Sequence, residues 1–492
     1  MEWWRLLHFS LKAKEFFLME KRNTLSRVLG RTDIIAIGFG TMVGWSWIMM
    51  AASWVSEAGI LGTVTAFAIG GALILAIGSI YGELTAALPL AGGEFVYAYR
   101  ALGSRFALVV GWIMALAYLG VAAWEGIALA TAIDYVLPIA DAVYLFEIAG
   151  YQVYLSWAFV GVAGALIITL LNIFGVRPAI LLQVTATAAL IVIVLVMFIG
   201  GFTFGDTDNL GDIFKNREGF SYVLMMIPAM LIGFDVIPQS AEEMNIGEKN
   251  IGKMIIVCIV LSLIWYVMMA TAAGFAAPAE IRDSGIIPMA DVAAYLFSSE
   301  AFSAVIIVAG ILGILTTWNG FFMGATRLIF AMGRARIIPE VFGRVHEKYG
   351  TPWAACTLVG VLCAASPFLG RNALIWFINT SSFCALIAYC LVILSFIVLR
   401  KKDSMLERPY KVRGGTAFGA VILLITFLYL VYYVVDTFTA GGISPEFVIT
   451  GIWIIIGVTF TFAAEKRKGS MSEESREYLI FGSRFARKGE GQ

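Results

Sequence analysis

The stretch "IAIGFGTMVGWSW", residues 35–47, lies in the first long apolar segment of the chain and decides the fold. It places Gly38, Gly40 and Gly44 within seven residues and follows them with two tryptophans. A glycine inside a helix costs about 1 kcal/mol relative to alanine. The run therefore predicts an interrupted helix whose freed backbone groups face a ligand. The alternative is that the glycines only let neighbouring helices pack closely.

A second segment, "MMIPAMLIGFDVIPQSAEE" (225–243), carries the same kind of interruption. Pro228 and Pro238 bracket Gly233, Phe234 and Asp235, and proline removes a helix hydrogen bond and clashes with the preceding turn. The two interrupted segments are five apolar segments apart. Interruptions at corresponding positions of two halves are typical of transporters built from inverted repeats, whose site lies where the broken helices meet.

The composition places the chain in a membrane. Of its 492 residues 60% are hydrophobic and 14% charged, and the mean hydropathy is +0.88, which is too apolar for a soluble globular protein. Runs of about 20 apolar residues can cross a bilayer, and they recur often enough to predict twelve transmembrane helices. The predicted spans are 33–56, 61–81, 107–131, 152–173, 178–201, 220–240, 252–276, 302–326, 353–369, 374–399, 416–436 and 446–464.

The basic residues predict the orientation. With twelve spans, 29 of the 34 lysines and arginines fall on the side of the two chain ends. By the positive-inside rule both termini are cytoplasmic, which predicts a multi-pass protein of the plasma (inner) membrane. The predicted units are an amphipathic helix on the inner membrane surface (1–28), a first five-helix repeat (29–201), a second, inverted repeat (202–400), two extra helices (401–465) and a loosely ordered cytoplasmic tail (466–492).

The same residues exclude several functions. The two histidines, His8 and His346, lie outside the spans, so neither a metal-ligand cluster nor a histidine base is expected in the membrane. A phosphate-binding glycine loop with lysine is also lacking, which disfavours ATP-driven pumping. The chain is therefore predicted not to be an enzyme, to use no cofactor or metal, and to need neither nucleic acid nor an obligatory protein partner. A coupling proton or sodium ion stays open.

Three motifs resemble a known family. They are "YGELTAALPLAGGEFVYAYRALG" (81–103), "GFDVIPQSAEEMN" (233–245) and "NGFFMGATRLIFAMGRARIIPEVFGRVHEKYGTP" (319–352). Together they resemble the amino acid-polyamine-organocation (APC) superfamily from about Gly30 to Arg413. The resemblance implies an all-α LeuT-like fold of two inverted five-helix repeats plus two extra helices. It also implies secondary transport of a small amino acid by alternating access. An organic amine or polyamine is the alternative substrate, and a non-transporting amino acid sensor is the alternative function.

The resemblance also implies where a substrate binds. Family members bind the substrate carboxylate through amides of the interrupted first span and the ammonium group through nearby carbonyls and span six. Carried across, the amides fall on Gly44, Trp45 and Ser46 and the carbonyls on Met42 and Ile232, with Gly40, Gly233 and Phe234 beside them.

Two departures from the family pattern affect the predicted pocket. Trp45 stands where the family has a small residue, Trp47 follows it, and Ala229 replaces an aromatic gate. The tryptophans could shrink the pocket, cage an amine or take over gating. Packing between helices is the alternative.

Acidic residues in the spans are the other candidates. Glu125 is the only acid deep in span three, and ionisable residues inside spans are functional by default. We interpret Glu125 as amine partner or protonation site, against a purely structural hydrogen bond. Asp235 is a candidate for coupling or sensing protons, against capping of the helix break.

Weaker candidates complete the predicted site. Asn319, Ser381 and Ser382 match cavity-lining positions of the family, although hydroxyls in spans often bond their own helix. Thr316 and Thr317 are weak candidates for a sodium site, and span five lacks the lysine of proton-coupled branches. A further set of charged residues, Glu83, Glu94, Arg100, Glu242 and Glu243, is interpreted as cytoplasmic charge networks.

Overall fold

The computed structural model describes residues 22–139, 142–148, 150–283, 287–439, 444–468 and 471–485. The amphipathic helix was predicted over residues 1–28; residues 1–21 lie outside this part of the chain, and residues 22–28 contain no helix. The described part is overwhelmingly helical, as the apolar composition predicts.

Seventeen described α-helices follow one another along the chain, with one short hairpin. The first half contains α1 (Arg31–Met42), α2 (Ser46–Ala87), α3 (Gly93–Leu102), α4 (Ser104–Val136), β1 (Tyr144–Ile148), β2 (Tyr151–Tyr154), α5 (Leu155–Phe174), α6 (Val176–Phe204), α7 (Arg217–Met230) and α8 (Val236–Gln239). The second half contains α9 (Glu248–Ala276), α10 (Ala279–Arg282), α11 (Pro288–Phe297), α12 (Glu300–Arg334), α13 (Trp353–Ala365), α14 (Ala373–Lys402), α15 (Gly415–Thr439), α16 (Pro445–Lys468) and α17 (Glu473–Phe485).

Nine helices in the described residues are long and apolar enough to cross a membrane, and a shorter apolar segment covers 353–369. Many of their apolar side chains remain exposed, as expected where lipid replaces water as the solvent. The chain is therefore an all-α polytopic membrane protein. The count of twelve spans and the inverted repeats stay predictions.

Both predicted helix interruptions are present. The first lies between Met42, where α1 ends, and Ser46, where α2 begins; the second lies between Met230 and Val236. A further turn at Gly59, which has a positive φ of 71°, divides α2 into two helical stretches. These stretches correspond to the end of predicted span one and to span two.

Two features differ from the sequence-based expectations. The tail was expected to be loosely ordered, but α17 is a helix whose Leu479, Ile480 and Phe481 are buried. Phe481 packs against Tyr99 of α3 with a ring-centroid distance of 5.9 Å, so apolar contacts hold this helix against the bundle. Between α4 and α5, β1 and β2 pair antiparallel with Glu147 opposite Gln152.

The helices that carry the interruptions lie inside the bundle. The helix α9 packs along α2, α12 contacts α1 and α4, and α14 packs against α4 and α15. The long helices α4, α9, α12 and α14 thus surround the segments between α1 and α2 and between α7 and α8.

Candidate functional site

The two helix interruptions touch each other. Gly233 has a φ of 123°, which favours glycine because it carries no Cβ. A Cβ on Gly233 would lie 3.1 Å from Thr41 Cγ2 and 3.2 Å from Met42 Cγ. The interruption after α7 therefore packs directly on the last turn of α1.

Tyr266 of α9 connects both sides of the first interruption. Its hydroxyl donates to the Met42 carbonyl at 2.8 Å and lies 2.9 Å from Ser46 Oγ. The Met42 carbonyl, which the family resemblance assigns to a substrate ammonium, thus already accepts a hydrogen bond. Sequence reasoning missed Tyr266, although a tyrosine in the middle of predicted span seven is a signal that could have found it.

The N–H groups at the start of α2 suit an anion. Gly44 and Trp45 precede the helix and Ser46 opens it, so their N–H groups have no helical carbonyl one turn earlier to bond. Gly44 itself is tightly packed, because a Cβ there would lie 2.4 Å from Thr317 Oγ1 of α12. Only a glycine fits this approach between α1 and α12.

Trp45 and Trp47 are both buried between helices. A Cβ on Gly310 of α12 would lie 2.3 Å from the Trp45 ring. The Trp47 ring makes an edge contact with Trp265 at a centroid distance of 5.9 Å. Both rings therefore fill space beside the interruption, which corresponds to the packing alternative.

Glu125 is the most unusual residue near the interruptions. It is completely buried in α4, and neither carboxylate oxygen has a hydrogen-bond partner among the described residues. Glu125 acts electrostatically on Tyr266, the residue that joins Met42 to Ser46. A buried carboxylate without a partner is costly, so the structure leaves an acceptor beside the first interruption.

Asp235, by contrast, is well bonded. Its Oδ2 accepts from the Tyr389 hydroxyl at 2.6 Å, and its Oδ1 accepts from the Gly233 N–H at 3.2 Å. Phe234 lies between the rings of Tyr81 and Tyr389, at centroid distances of 5.3 and 5.8 Å. Asp235 thus bonds the backbone within the interruption and ties it to α14, although its side chain makes no cap hydrogen bond to α8.

Asn319 belongs to an amide network. Its Nδ2 donates to Gln183 Oε1 at 2.9 Å, its Oδ1 accepts from Asn172 at 3.0 Å, and Gln183 donates to the Ala36 carbonyl at 3.0 Å. The network joins α1, α5, α6 and α12 and occupies the polar atoms of Asn319. Gln183 is a second residue that the sequence reasoning did not single out.

The threonines and Gly40 lie next to this network. Thr317 Oγ1 donates to the Gly40 carbonyl at 3.4 Å, and Thr316 Oγ1 donates to Gly313 at 2.9 Å. A Cβ on Gly40 would lie 2.5 Å from Thr187 Oγ1. Within the described ranges, no group of three or more His, Cys, Asp or Glu side chains is placed to hold a metal ion.

Ser381 and Ser382 face different surroundings. Ser381 is buried against Gly120, where a Cβ would lie 2.3 Å from Ser381 Oγ. Ser382 donates to the Ile378 carbonyl at 2.8 Å and lines a cavity of about 860 Å³. The same cavity is lined by Ala229, Ile232 and Tyr389 and by groups at the start of α7. It therefore reaches the second interruption from one end of the bundle.

One protein family matches most of this chain. Residues 29–460 match the family model described as amino acid permease. The chain belongs to the amino acid permease family. The prediction of an APC-type transporter is thereby confirmed, and so is the prediction that the chain is not an enzyme, because the family consists of permeases.

Three relatives show how far the similarity extends. A methylthioribose transporter of Bacillus subtilis is 22% identical over 476 residues, which cover 92% of this chain and 96% of that protein. A branched-chain amino acid permease of the same organism is 25% identical over 472 residues, with the same two coverages. An aspartate-proton symporter, also from Bacillus subtilis, is 25% identical over 439 residues, covering 84% and 81%. The similarity thus spans nearly the whole bundle.

Charge networks that the sequence predicts are present outside the two helix interruptions. Arg327 and Glu243 form a fully buried pair with a distance of 2.7 Å between Nε and Oε1. Glu242 bonds Arg334 at 2.9 Å and Arg22 at 3.3 Å. Burial raises the pKa of Glu242, but Arg334 and Arg22 outweigh this effect and hold it below its usual range.

Further ion pairs and hydrogen bonds involve residues near both ends of the described chain. Arg22 also donates to the carbonyls of Leu479 and Ile480 in α17. Arg100 bonds Asp403 at 2.8 Å and the Phe485 carbonyl at 2.9 Å. Glu83 pairs with Arg400 and Arg408. Helices from distant parts of the sequence therefore meet in one ionic layer.

Glu94 of α3 differs from the other acids of that set. It accepts hydrogen bonds from neutral donors, the Gln239 amide and the Tyr118 hydroxyl. Burial, and secondarily the nearby Asp235, raise the pKa of Glu94 well above its usual range. The interpretation of Glu94 as part of a charge network is therefore replaced by one of a carboxyl held by neutral donors.

Proposed function

We propose that the chain is a secondary active transporter that moves a small amino acid across the plasma (inner) membrane by alternating access. Twelve spans, two of them interrupted, form two inverted repeats with two extra helices in this proposal, and both termini are cytoplasmic. Membership of the amino acid permease family supports amino acid transport. The mechanism and the small substrate are our own inference.

The observation that carries the proposal is the buried Glu125, whose oxygens have no partner among the described residues and which acts electrostatically on Tyr266 of the first interruption. A substrate ammonium group would supply the charge-assisted hydrogen bonds that this carboxylate lacks. The free N–H groups at the start of α2 would receive the substrate carboxylate, since a helix N-terminus favours an anion. An amino acid zwitterion carries both an ammonium and a carboxylate group, so one substrate molecule could occupy both places.

The residues around the first interruption favour a substrate with a small side chain. Trp45 and Trp47 fill the space beside the first interruption, and Gly44 packs against Thr317 without a gap. The relatives carry names of different substrates, namely methylthioribose, branched-chain amino acids and aspartate. Their names therefore support transport of a small organic molecule and leave the choice of side chain to the pocket of this chain.

An organic amine is the second candidate substrate. Glu125 has no hydrogen-bond partner in the part of the chain that the structure describes, and it could hold an amine that lacks a carboxylate. A sensor that binds an amino acid without moving it is the second candidate function. A proton gradient would act through Glu125 or Asp235 in this proposal, and a sodium gradient through Thr316 and Thr317.

The first experiment measures the melting temperature of the purified protein with amino acids and with their decarboxylated amines. A ligand that binds the folded state raises this temperature. We expect stabilisation by small amino acids and none by the matching amines. Stabilisation by the amines alone would overturn the amino acid assignment and favour the amine.

The second experiment separates transport from sensing. Proteoliposomes containing the protein are loaded with the stabilising amino acid, and uptake of the labelled compound is followed with imposed pH or sodium gradients. Saturable uptake is expected. Binding without uptake or exchange would favour the sensor.

A further inference from the structure

A cavity distant from the helix interruptions has a basic lining. Its volume is about 360 Å³, and it lies between three segments of the chain. These are the segment that leads into α1, represented by Ser26 and Val28, the turn between α5 and α6, and the loop 348–350 before α13. The cavity is separate from the predicted substrate site, with which it shares no residue.

The lining is positive. Arg177 and Lys348 line the cavity together with the hydroxyl-bearing Ser26 and Tyr349, and none of its lining residues is acidic. Neither cation takes part in a salt bridge found among the described residues, and Lys348 Nζ lies 5.2 Å from the centroid of the Tyr349 ring. Two cations without an acidic partner around one cavity attract an anion with oxygen acceptors.

The position of the cavity indicates the source of that anion. Phe174 is the last residue of the membrane-spanning helix α5, is 52% exposed and makes an edge contact with Tyr349. Aromatic residues at the ends of spans mark the level of the lipid headgroups. The proposed orientation puts this end of α5 and α6 on the cytoplasmic side, where anionic lipids are concentrated.

We propose that this cavity binds the phosphate group of an anionic phospholipid in the cytoplasmic leaflet. Arg177 and Lys348 contact the phosphate oxygens, and Phe174 and Tyr349 face the upper part of the acyl chains. The bound lipid holds the segment before α1 against α5 and α6. That segment is linked to the turn that follows α8, because the Val28 N–H donates to the Glu243 carbonyl at 2.8 Å.

The test measures binding of phosphatidylglycerol to the full chain in detergent. The melting temperature is titrated with phosphatidylglycerol and with the zwitterionic phosphatidylcholine, and bound lipids are counted by native mass spectrometry. We expect a larger shift with phosphatidylglycerol. Each basic residue near the surface contributes about a factor of five, so the Arg177→Gln, Lys348→Gln double variant should weaken phosphatidylglycerol binding about 25-fold.

The matched control is the Lys401→Gln, Lys402→Gln double variant, which removes two exposed lysines at the end of α14. It should bind phosphatidylglycerol like the unmodified chain. An equal loss in the control, or no loss in the Arg177, Lys348 variant, would overturn the proposal. Inorganic phosphate forms the third arm: if it reproduces the shift and abolishes the effect of the lipid, a free phosphate occupies the cavity and the lipid assignment is wrong.

Discussion

Two buried glutamates of this chain, Glu243 and Glu125, have opposite surroundings. Glu243 lies in the turn that follows α8 and pairs with Arg327 at 2.7 Å, with both side chains almost inaccessible. Glu125 lies within α4, equally buried, and its oxygens have no partner in the described residues. The fold itself compensates the first charge. The second remains available to a group that arrives from outside.

The largest expected effect comes from breaking the compensated pair. Arg327→Ala removes the cation and leaves Glu243 buried and unpaired, which should cost about 3–5 kcal/mol of stability. The expected result is a strongly lowered melting temperature of the purified protein, or loss of folded protein on expression.

The control for this prediction is Arg484→Ala. Arg484 pairs with Glu248 in a salt bridge whose side chains are 58% and 26% exposed, and such surface pairs contribute about 0–1 kcal/mol. A loss of stability in Arg484→Ala as large as in Arg327→Ala would show that burial does not distinguish the two pairs.

The second prediction concerns Glu125, the buried glutamate whose oxygens have no partner in the described residues. Glu125→Gln replaces a buried carboxyl that has no hydrogen-bond partner among the described residues, so the stability of the ligand-free protein should stay the same or rise. Binding of the transported substrate should weaken by about tenfold to a hundredfold, since a hydrogen bond to a charged group contributes about 1.5–3 kcal/mol. Melting temperatures with and without the stabilising ligand measure both effects.

Glu243→Gln is the matched substitution. It should lower the stability of the ligand-free protein, because Arg327 loses its counter-charge. If Glu125→Gln destabilises the ligand-free protein to the same degree, Glu125 has a structural partner and the proposed substrate contact is wrong.

A third buried glutamate, Glu94, has surroundings between those of Glu243 and Glu125. It accepts hydrogen bonds, but its donors are neutral. Its pKa is raised in the folded state, so the folded protein holds this proton at pH values where the unfolded chain, with a pKa of about 4.3, has lost it. The stabilisation that Glu94 contributes is fully present below its pKa in the unfolded chain. It is lost as the pH rises through its pKa in the folded protein. The slope reaches at most about 1.4 kcal/mol per pH unit.

Glu94→Gln should flatten that slope in melting temperatures recorded across the acidic and neutral range. Asp235→Asn removes an electrostatic contribution to the shift and should reduce the slope without abolishing it. The exposed Glu474→Gln serves as control and should leave it unchanged. A slope that persists in Glu94→Gln would assign the pH dependence to another group.

The sequence predicts the helix interruptions because their causes are local. Glycine and proline act on the backbone at their own positions, and the segments around Gly44 and Gly233 are interrupted in the structure. Tyr266 and Gln183 were not predicted, because their roles depend on which helices lie beside α1. The helix α17 was not predicted either, since its three buried apolar residues gain their partners only after the bundle has formed.

The smallest expected effect concerns Tyr266, the residue that the sequence did not reveal. Tyr266→Phe keeps the ring and removes the hydroxyl that donates to the Met42 carbonyl and bonds Ser46, at a cost of about 1 kcal/mol. If this hydroxyl fixes the first interruption in the shape that accepts substrate, affinity should fall about fivefold. The control Tyr295→Phe, at an exposed ring of α11, should change neither stability nor affinity. An unchanged affinity in Tyr266→Phe would mean that the Tyr266 hydroxyl does not position the first interruption. The close packing of Gly44 on Thr317 would then hold this segment in place, and glycine contacts rather than hydrogen bonds would fix its shape for the substrate.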